Sequence, residues 1–220
     1  MVAPSTLAIV PAQRIHLVRH GEVNNPERIL YGRLDGFGLT DRGHHMAQAV
    51  ADHFSDQPIR RVISSPLLRA WQTAEPLATF HGLAIESDER VIEGTNVFEG
   101  TRVSARRILT DHGVWRYLFN PIRPSWGEAY RAIANRMLLA MEEAWQSVSD
   151  GEIVIVSHQL PIWMVHRTVD HRPLPHPPSA RRCTLASVTT FDKSGGSWRE
   201  VEYAEPAKAL LEGAIDLGAV

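Results

Sequence analysis

Apolar residues gather into short blocks along this chain, and the spacing inside each block predicts its form. Arg14-Ile15-His16-Leu17-Val18 is a brief β-rich run that stops at Arg19-His20-Gly21. A polar loop with several glycines follows as far as Gly38. From Thr40 to about Phe54, the residues Met46, Val50 and Phe54 recur four apart, which predicts a helix with one buried face. Arg61-Val62-Ile63-Ser64 reads as a second strand. Ser65-Pro66 has the make-up of a helix start, with a serine to cap free N–H groups and a proline suited to the first helical position. That helix is expected to run to about Phe80 and to end at His81-Gly82. Ala84-Ile85-Glu86 reads as a short third strand.

Residues 94 to 125 are the least regular stretch. Ser125-Trp126-Gly127-Glu128 fits a capping box and predicts a helix to about Val148. Ile153-Val154-Ile155-Val156-Ser157 is apolar up to its serine, the pattern of a central parallel strand covered on both faces. His158 to about Val169 is expected to be helical, with Pro161 in its first turn, and the Pro- and His-rich segment 171–178 to be a loop. Leu185 to Phe191 and Trp198 to Tyr203 are β-runs joined by Ser194-Gly195-Gly196, which predicts a hairpin. Strands alternating with helices predict a three-layer α/β/α sandwich with a mostly parallel mixed sheet, and the hairpin adds at least one antiparallel edge strand. The 220 residues suit one domain over 1–220, without internal repeats.

Composition narrows the classes of partner. Hydrophobic residues make up 44% of the chain, enough for a sizeable core. A formal charge of -2 supplies no general basic field, so neither nucleic acid nor an anionic membrane is an expected partner. The segment Met1 to Pro11 lacks the basic start of a signal peptide, and no run approaches the roughly 20 apolar residues of a membrane span. The lone Cys183 can form neither an internal disulfide nor a cysteine zinc cluster. These features point to a cytoplasmic protein, with a homodimer left open.

Ligands of open parallel sheets sit beyond the carboxyl ends of the strands. Three such ends here carry related chemistry: Arg19-His20 after the first strand, Ser64-Ser65 with Arg69 a turn later, and Ser157-His158 after the central one. Two arginines and two histidines make a pocket for a dianion, because the planar guanidinium fork matches phosphate oxygens.

The blocks Leu17-Val18-Arg19-His20-Gly21-Glu22, Ser64-Ser65-Pro66-Leu67-Leu68-Arg69-Ala70-Trp71-Gln72-Thr73-Ala74 and Val156-Ser157-His158 resemble, in order and spacing, the signature of the histidine phosphatase superfamily, the phosphoglycerate mutase-like proteins. The resemblance spans roughly residues 14 to 170. It implies a metal-independent phosphatase that hydrolyses a small phosphomonoester through a phosphohistidine on His20, with no cofactor. Arg19, Arg69 and His158 would hold the transferring group, and Asn25 would serve in place of an asparagine that the family often has one residue later, where Pro26 stands. A glutamate would protonate the leaving oxygen. Glu93 matches that position and Glu99 is the alternative, since the segment Glu93 to Gly100 looks one residue short and has Phe98 where tryptophan is common. Arg33 would be a further phosphate contact or a surface residue.

Around Arg102, Arg106, Arg107, Arg116, Arg123 and Arg131 positive charge accumulates, and the insertion at about 94–131 is expected to form a lid that reads the rest of an anionic substrate, or else a solvated basic face. Glu22 is expected to partner an arginine. His44, His45, His166, His171 and His176 are expected at the surface, since they lack metal-ligand spacing. Trp71, Trp145 and Trp163 are expected to pack helices, and Cys183 to be an inert thiol. Two other functions fit the same blocks: phosphoglycerate mutase-type transfer, and a non-catalytic binding protein on the same fold.

Overall fold

The computed structural model describes residues 12–102 and 127–216. In chain order the elements are β1 (Arg14–Arg19), α1 (Asp41–His53), β2 (Ile59–Ser64), α2 (Leu68–His81), β3 (Ile85–Ser87), α3 (Tyr130–Gln146), β4 (Glu152–Ser157), α4 (Gln159–Val169), β5 (Val188–Asp192) and β6 (Arg199–Ala204). The strands form one mixed sheet in the order β3-β2-β4-β1-β5-β6. β1, β2, β3 and β4 run parallel, while β5 is antiparallel to β1 and β6 to β5.

Period-two alternation along the strands decides which helices each face receives. Val154 and Val156 of β4 join Val18 and Val62 against α1 and α2, through Met46, Val50, Ala74 and Leu77. Ile153 and Ile155 join Ile15, Leu17 and Ile63 against α3 and α4, through Met137, Met141, Ile162 and Val165. Every residue of β4 is buried, as its apolar run predicts. Full burial of one such side chain stabilises the fold by about 1.5–3 kcal/mol before entropy is counted. Among the described residues no helix is long and apolar enough to cross a membrane.

The helix ends show where local signals yield to long-range ones. Thr40 caps α1 by accepting from the Gly43 N–H at 2.9 Å, and α2 ends at Gly82 with φ 64°, a left-handed conformation that glycine takes without strain. Ser65-Pro66 does not open α2: Leu67 is the N-cap, and no side chain caps it. The Ser65 hydroxyl points instead to His158, at 2.8 Å. Likewise α3 starts at Tyr130 without a side-chain cap, because Glu128 is engaged by two arginines; Ser125 and Trp126 lie outside the described residues. Trp145 and Trp163 are buried, whereas Trp71 is 38% exposed and not a core residue.

Candidate active site

Register brings the site together. β1 pairs with β4 so that Arg19 lies opposite Ser157, and β2 pairs with β4 so that Ser64 lies opposite Val156. The residues that leave these strand ends are therefore neighbours. The His20 N–H donates to the Ser157 carbonyl at 3.2 Å, and the Ser65 N–H to the Val156 carbonyl at 2.9 Å. The imidazoles of His20 and His158 end with centroids 5.2 Å apart. α2 is tied to the same turn, since the Gly21 N–H donates to Thr73 Oγ1 at 3.1 Å. α1 closes against it too: a Cβ on Gly43 would lie 2.1 Å from the Glu22 carbonyl oxygen, so that contact admits only glycine.

His20 Nδ1 lies 2.8 Å from the Gly21 carbonyl oxygen. A carbonyl can only accept, so Nδ1 carries the proton and the Nε2 lone pair is free. Burial, followed by the charges of Arg69 and Arg19, lowers the His20 pKa well below the ordinary histidine value; the Gly21 hydrogen bond opposes this. His158 is lowered well below its ordinary value by burial, then by Arg69 and His20. Both rings are therefore neutral near pH 7. Arg69 is buried, donates to the Gly32 carbonyl at 2.6 Å and stacks over Tyr31 at 4.7 Å from the ring centre. Among the described residues, five buried side-chain polar atoms lack a hydrogen-bond partner, and three of them belong to Arg19 (Nε), Arg69 (Nε) and His158 (Nδ1). An unmet buried polar group costs about 1–3 kcal/mol, and two guanidinium nitrogens and one imidazole nitrogen in one cluster could be met by an anion.

Glu93 is buried, and its Oε1 accepts from the Gly94 N–H at 2.8 Å. Burial raises its pKa from the ordinary glutamate value, against the pull of Gly94, Arg69, Arg181 and Arg19. Glu99 turns back on its own loop and accepts from the Asn96 N–H at 3.1 Å. Asn25 is spent on its loop as well: its amide donates to the Ile29 carbonyl at 2.8 Å and accepts from the Ile29 N–H at 3.2 Å. Arg33 is half-buried; it donates to the Glu93 carbonyl and pairs with Glu128. Glu22 is buried and accepts from Thr40, Arg42 and the Ile215 N–H. Arg102 is exposed, and Arg106 and Arg107 lie outside the described residues.

The histidines divide. His44, His45 and His171 are exposed. His166 is buried, not at the surface: it stacks on Trp163 with centroids 4.4 Å apart and pairs with Glu200 at 2.5 Å. His176 is half-buried and accepts from Arg181 at 2.9 Å. Among the described residues no three His, Cys, Asp or Glu side chains group to hold a metal ion. Cys183 is buried and its thiol is pushed up to about 11, mainly by that burial.

Sequence reasoning misses two neighbours of the cluster, Arg181 and Asp216, and gives no role to a third, Tyr31. Tyr31 forms one wall, stacked on Phe37. Arg181, half-buried, reaches Gln159 at 3.4 Å, and Gln159 donates to the Cys183 carbonyl that Arg19 also contacts. Asp216 accepts from both terminal nitrogens of Arg19. Tyr31 lies in the segment Tyr31-Gly32-Arg33-Leu34-Asp35, which resembles the second half of the family's first loop, whereas Arg181 and Asp216 fall in no patterned block, so only the fold reveals those two.

An α/β sheet thus gathers two histidines and two buried arginines at its strand ends, a set whose chemistry could hold a phosphate-type anion. The profile of the histidine phosphatase superfamily (branch 1) matches residues 15–206, and the chain belongs to that family. An uncharacterised Mycobacterium tuberculosis protein is 47% identical over 88% of this chain and 96% of its own length. A Yersinia enterocolitica protein named "Probable phosphoglycerate mutase GpmB" is 28% identical, over 84% of this chain and 87% of that protein. Two solved structures share the fold. A mycobacterial glucosyl-3-phosphoglycerate phosphatase superposes with a TM-score of 0.68 at 23% identity, over 86% of this chain and 96% of that one. A phosphoserine phosphatase of Entamoeba histolytica does so with a TM-score of 0.69 at 22% identity, over 88% and 97%.

Proposed function

We propose that this chain is a phosphatase for small phosphomonoesters that works through a phosphohistidine on His20. The observation that carries the reading is the His20 ring, with Nδ1 held by the Gly21 carbonyl and Nε2 free beside His158. In the first step the Nε2 lone pair forms the N–P bond. The P–O bond to the alcohol breaks, and the leaving oxygen keeps that electron pair and takes the Glu93 proton. In the second step water attacks phosphorus and gives its proton to the Glu93 carboxylate, while the N–P electrons return to Nε2.

Arg19 and Arg69 would stabilise charge on the equatorial oxygens, which is the main source of rate in phosphoryl transfer. Ser65 Oγ lies 2.8 Å from His158 Nε2. With the serine as donor in that pair, the His158 proton would sit on Nδ1, which is buried without a hydrogen-bond partner, and would be offered to a phosphate oxygen. The reading needs no metal, and it places Glu93 rather than Glu99 as the acid because Glu93 is the buried one with the raised pKa. The insertion at about 94–131 would be a lid that reads the remainder of the substrate. Its described ends meet in the Asn96–Gly127 bridge and join the first loop, where Leu30 N–H donates to the Thr101 carbonyl at 2.9 Å.

The Yersinia relative's name keeps mutase-type transfer as the second reading. One assay separates the two: 3-phosphoglycerate with a trace of 2,3-bisphosphoglycerate, following both phosphate release and isomerisation. Phosphate release with acid-labile phosphate trapped on the protein, and neither in His20→Ala, is expected. Isomerisation without release would favour the mutase, and full phosphate release by His20→Ala would reject the phosphohistidine.

A further inference from the structure

Two segments far apart in sequence converge on the main-chain carbonyl of Glu93. Arg33, from the loop after β1, donates its Nε to that carbonyl at 2.7 Å. Arg136, on α3, donates to it at 3.2 Å and to the Arg90 carbonyl at 2.6 Å. Glu128, just before α3, bridges the two guanidiniums: Oε2 accepts from Arg33 at 2.9 Å and from Arg136 at 3.1 Å, and Oε1 accepts from Arg136 Nε at 2.9 Å. The Ser157 hydroxyl donates to the Val91 carbonyl at 2.7 Å. The connector that carries Glu93 is thus pinned at Arg90, Val91 and Glu93, always by side chains and never by a strand partner at those carbonyls.

We infer that Glu128, acting with Arg33 and Arg136, is a positioning residue for Glu93; this rests on the assignment of Glu93 as the acid. The effect of its place is geometric. An acid must stand within hydrogen-bond reach of the leaving oxygen, and a displacement of about 1 Å can cost a hundredfold. A carbonyl gripped from two sides cannot rotate freely, and the Gly94 N–H fixes the carboxyl relative to that same carbonyl.

Leaving-group dependence tests the inference. p-Nitrophenolate leaves without a proton, whereas the alkoxide of glycerol 3-phosphate needs one. For Glu128→Gln, and for Arg136→Lys as a second variant, kcat/KM with glycerol 3-phosphate, which reports the step that expels the alcohol, is expected to fall by about tenfold or more, a part of the roughly 10²–10⁴-fold ascribed to general acids. The kcat/KM with p-nitrophenyl phosphate should change by less than about threefold. Glu93→Gln, run beside them, should show the same contrast in kcat/KM, while its kcat falls with both substrates, because the second step, in which Glu93 takes the proton of water, is common to them. If Glu93→Gln shows the contrast and both other variants lose the two substrates equally, or lose neither, the positioning role is overturned. If Glu93→Gln itself shows no contrast, the acid assignment fails and the positioning role falls with it.

Discussion

The guanidinium of Arg19 is gripped by the carboxylate of Asp216, with NH1 and NH2 donating to its two oxygens at 2.8 and 2.5 Å. Arg19 has no exposed side-chain surface, whereas the Asp216 side chain is 40% exposed. Burial opposes the charge on Arg19 and the adjacent carboxylate more than offsets it, so the arginine is held firmly ionised. The segment that brings Asp216 there is anchored at the start of α1 and in the loop before it, by Arg42 donating to the Gly213 carbonyl at 2.7 Å and the Ile215 N–H donating to Glu22 at 2.8 Å. A carboxylate on a guanidinium fork takes the places that two phosphate oxygens would take. If Arg19 holds the phosphoryl group as proposed, Asp216 competes with the substrate for it. In Asp216→Asn, inorganic phosphate should inhibit more tightly, by roughly two- to tenfold, as suits a pair that is partly open to solvent. Inhibition constants for phosphate against a fixed substrate measure this; weaker inhibition in the variant would make Asp216 a supporting group instead.

Arg69 is more than a positive charge. Its place over Tyr31 and its bond to Gly32 use the flat face and one edge of the guanidinium. Lysine keeps the charge but has neither the face nor the fork. Arg69→Lys should lower kcat/KM by about a hundredfold, near the loss for removing one oxyanion donor. Steady-state kinetics on a folded variant, checked by circular dichroism, would show it, and a loss below about threefold would mean point charge suffices at this position.

The same groups set the pH dependence. In the proposed mechanism His20 attacks only when neutral, and burial with Arg69 and Arg19 pushes its pKa below 6.5, so the acid limb of kcat/KM should lie below that value. Glu93 must hold its proton, and burial pushes its pKa above 4.5, so activity should persist above the ordinary carboxylate range before it falls. With an alkyl phosphate the optimum is expected on the acid side of neutrality, and the basic limb should vanish with p-nitrophenyl phosphate. A maximum above about pH 8 with alkyl phosphates would contradict the acid role.

Much of this site is legible in the sequence because strand ends converge by a general rule. The apolar run of β4 fixes its central place, and from there His158 must neighbour the ends of β1 and β2. What stays hidden depends on contacts of high sequence separation. Asp216 lies 197 positions from Arg19, near the chain's end and outside any periodic block. Glu128 fits a capping box locally, yet two charge-assisted pairs with Arg33 and Arg136 outweigh one cap bond. Ser65 likewise looks like a cap, and the histidine opposite claims it. His16 sits in an apolar strand with no visible reason, because its partners Glu152 and Thr190, each at 2.9 Å, come from strands on either side.

Glu93 also predicts a trade between activity and stability. Its folded-state pKa is raised above 4.5 by burial, so between 4.5 and that higher value the folded protein binds a proton that the unfolded chain releases. Stability therefore falls as pH rises through this interval, and the whole cost is present above it. Glutamine has nearly the same shape, cannot ionise, and its oxygen can accept from the Gly94 N–H as Glu93 does at 2.8 Å. Glu93→Gln should then melt at about the wild-type temperature near pH 4 and higher at pH 7.5, by roughly 2–4 °C for each kcal/mol recovered in a chain of this size. Thermal unfolding at the two pH values measures the difference. Equal shifts at both would mean that packing, and not the buried charge, separates the two proteins, and a lower melting temperature at pH 7.5 would mean that the carboxylate is stabilised in place by Arg69, Arg181 and Arg19.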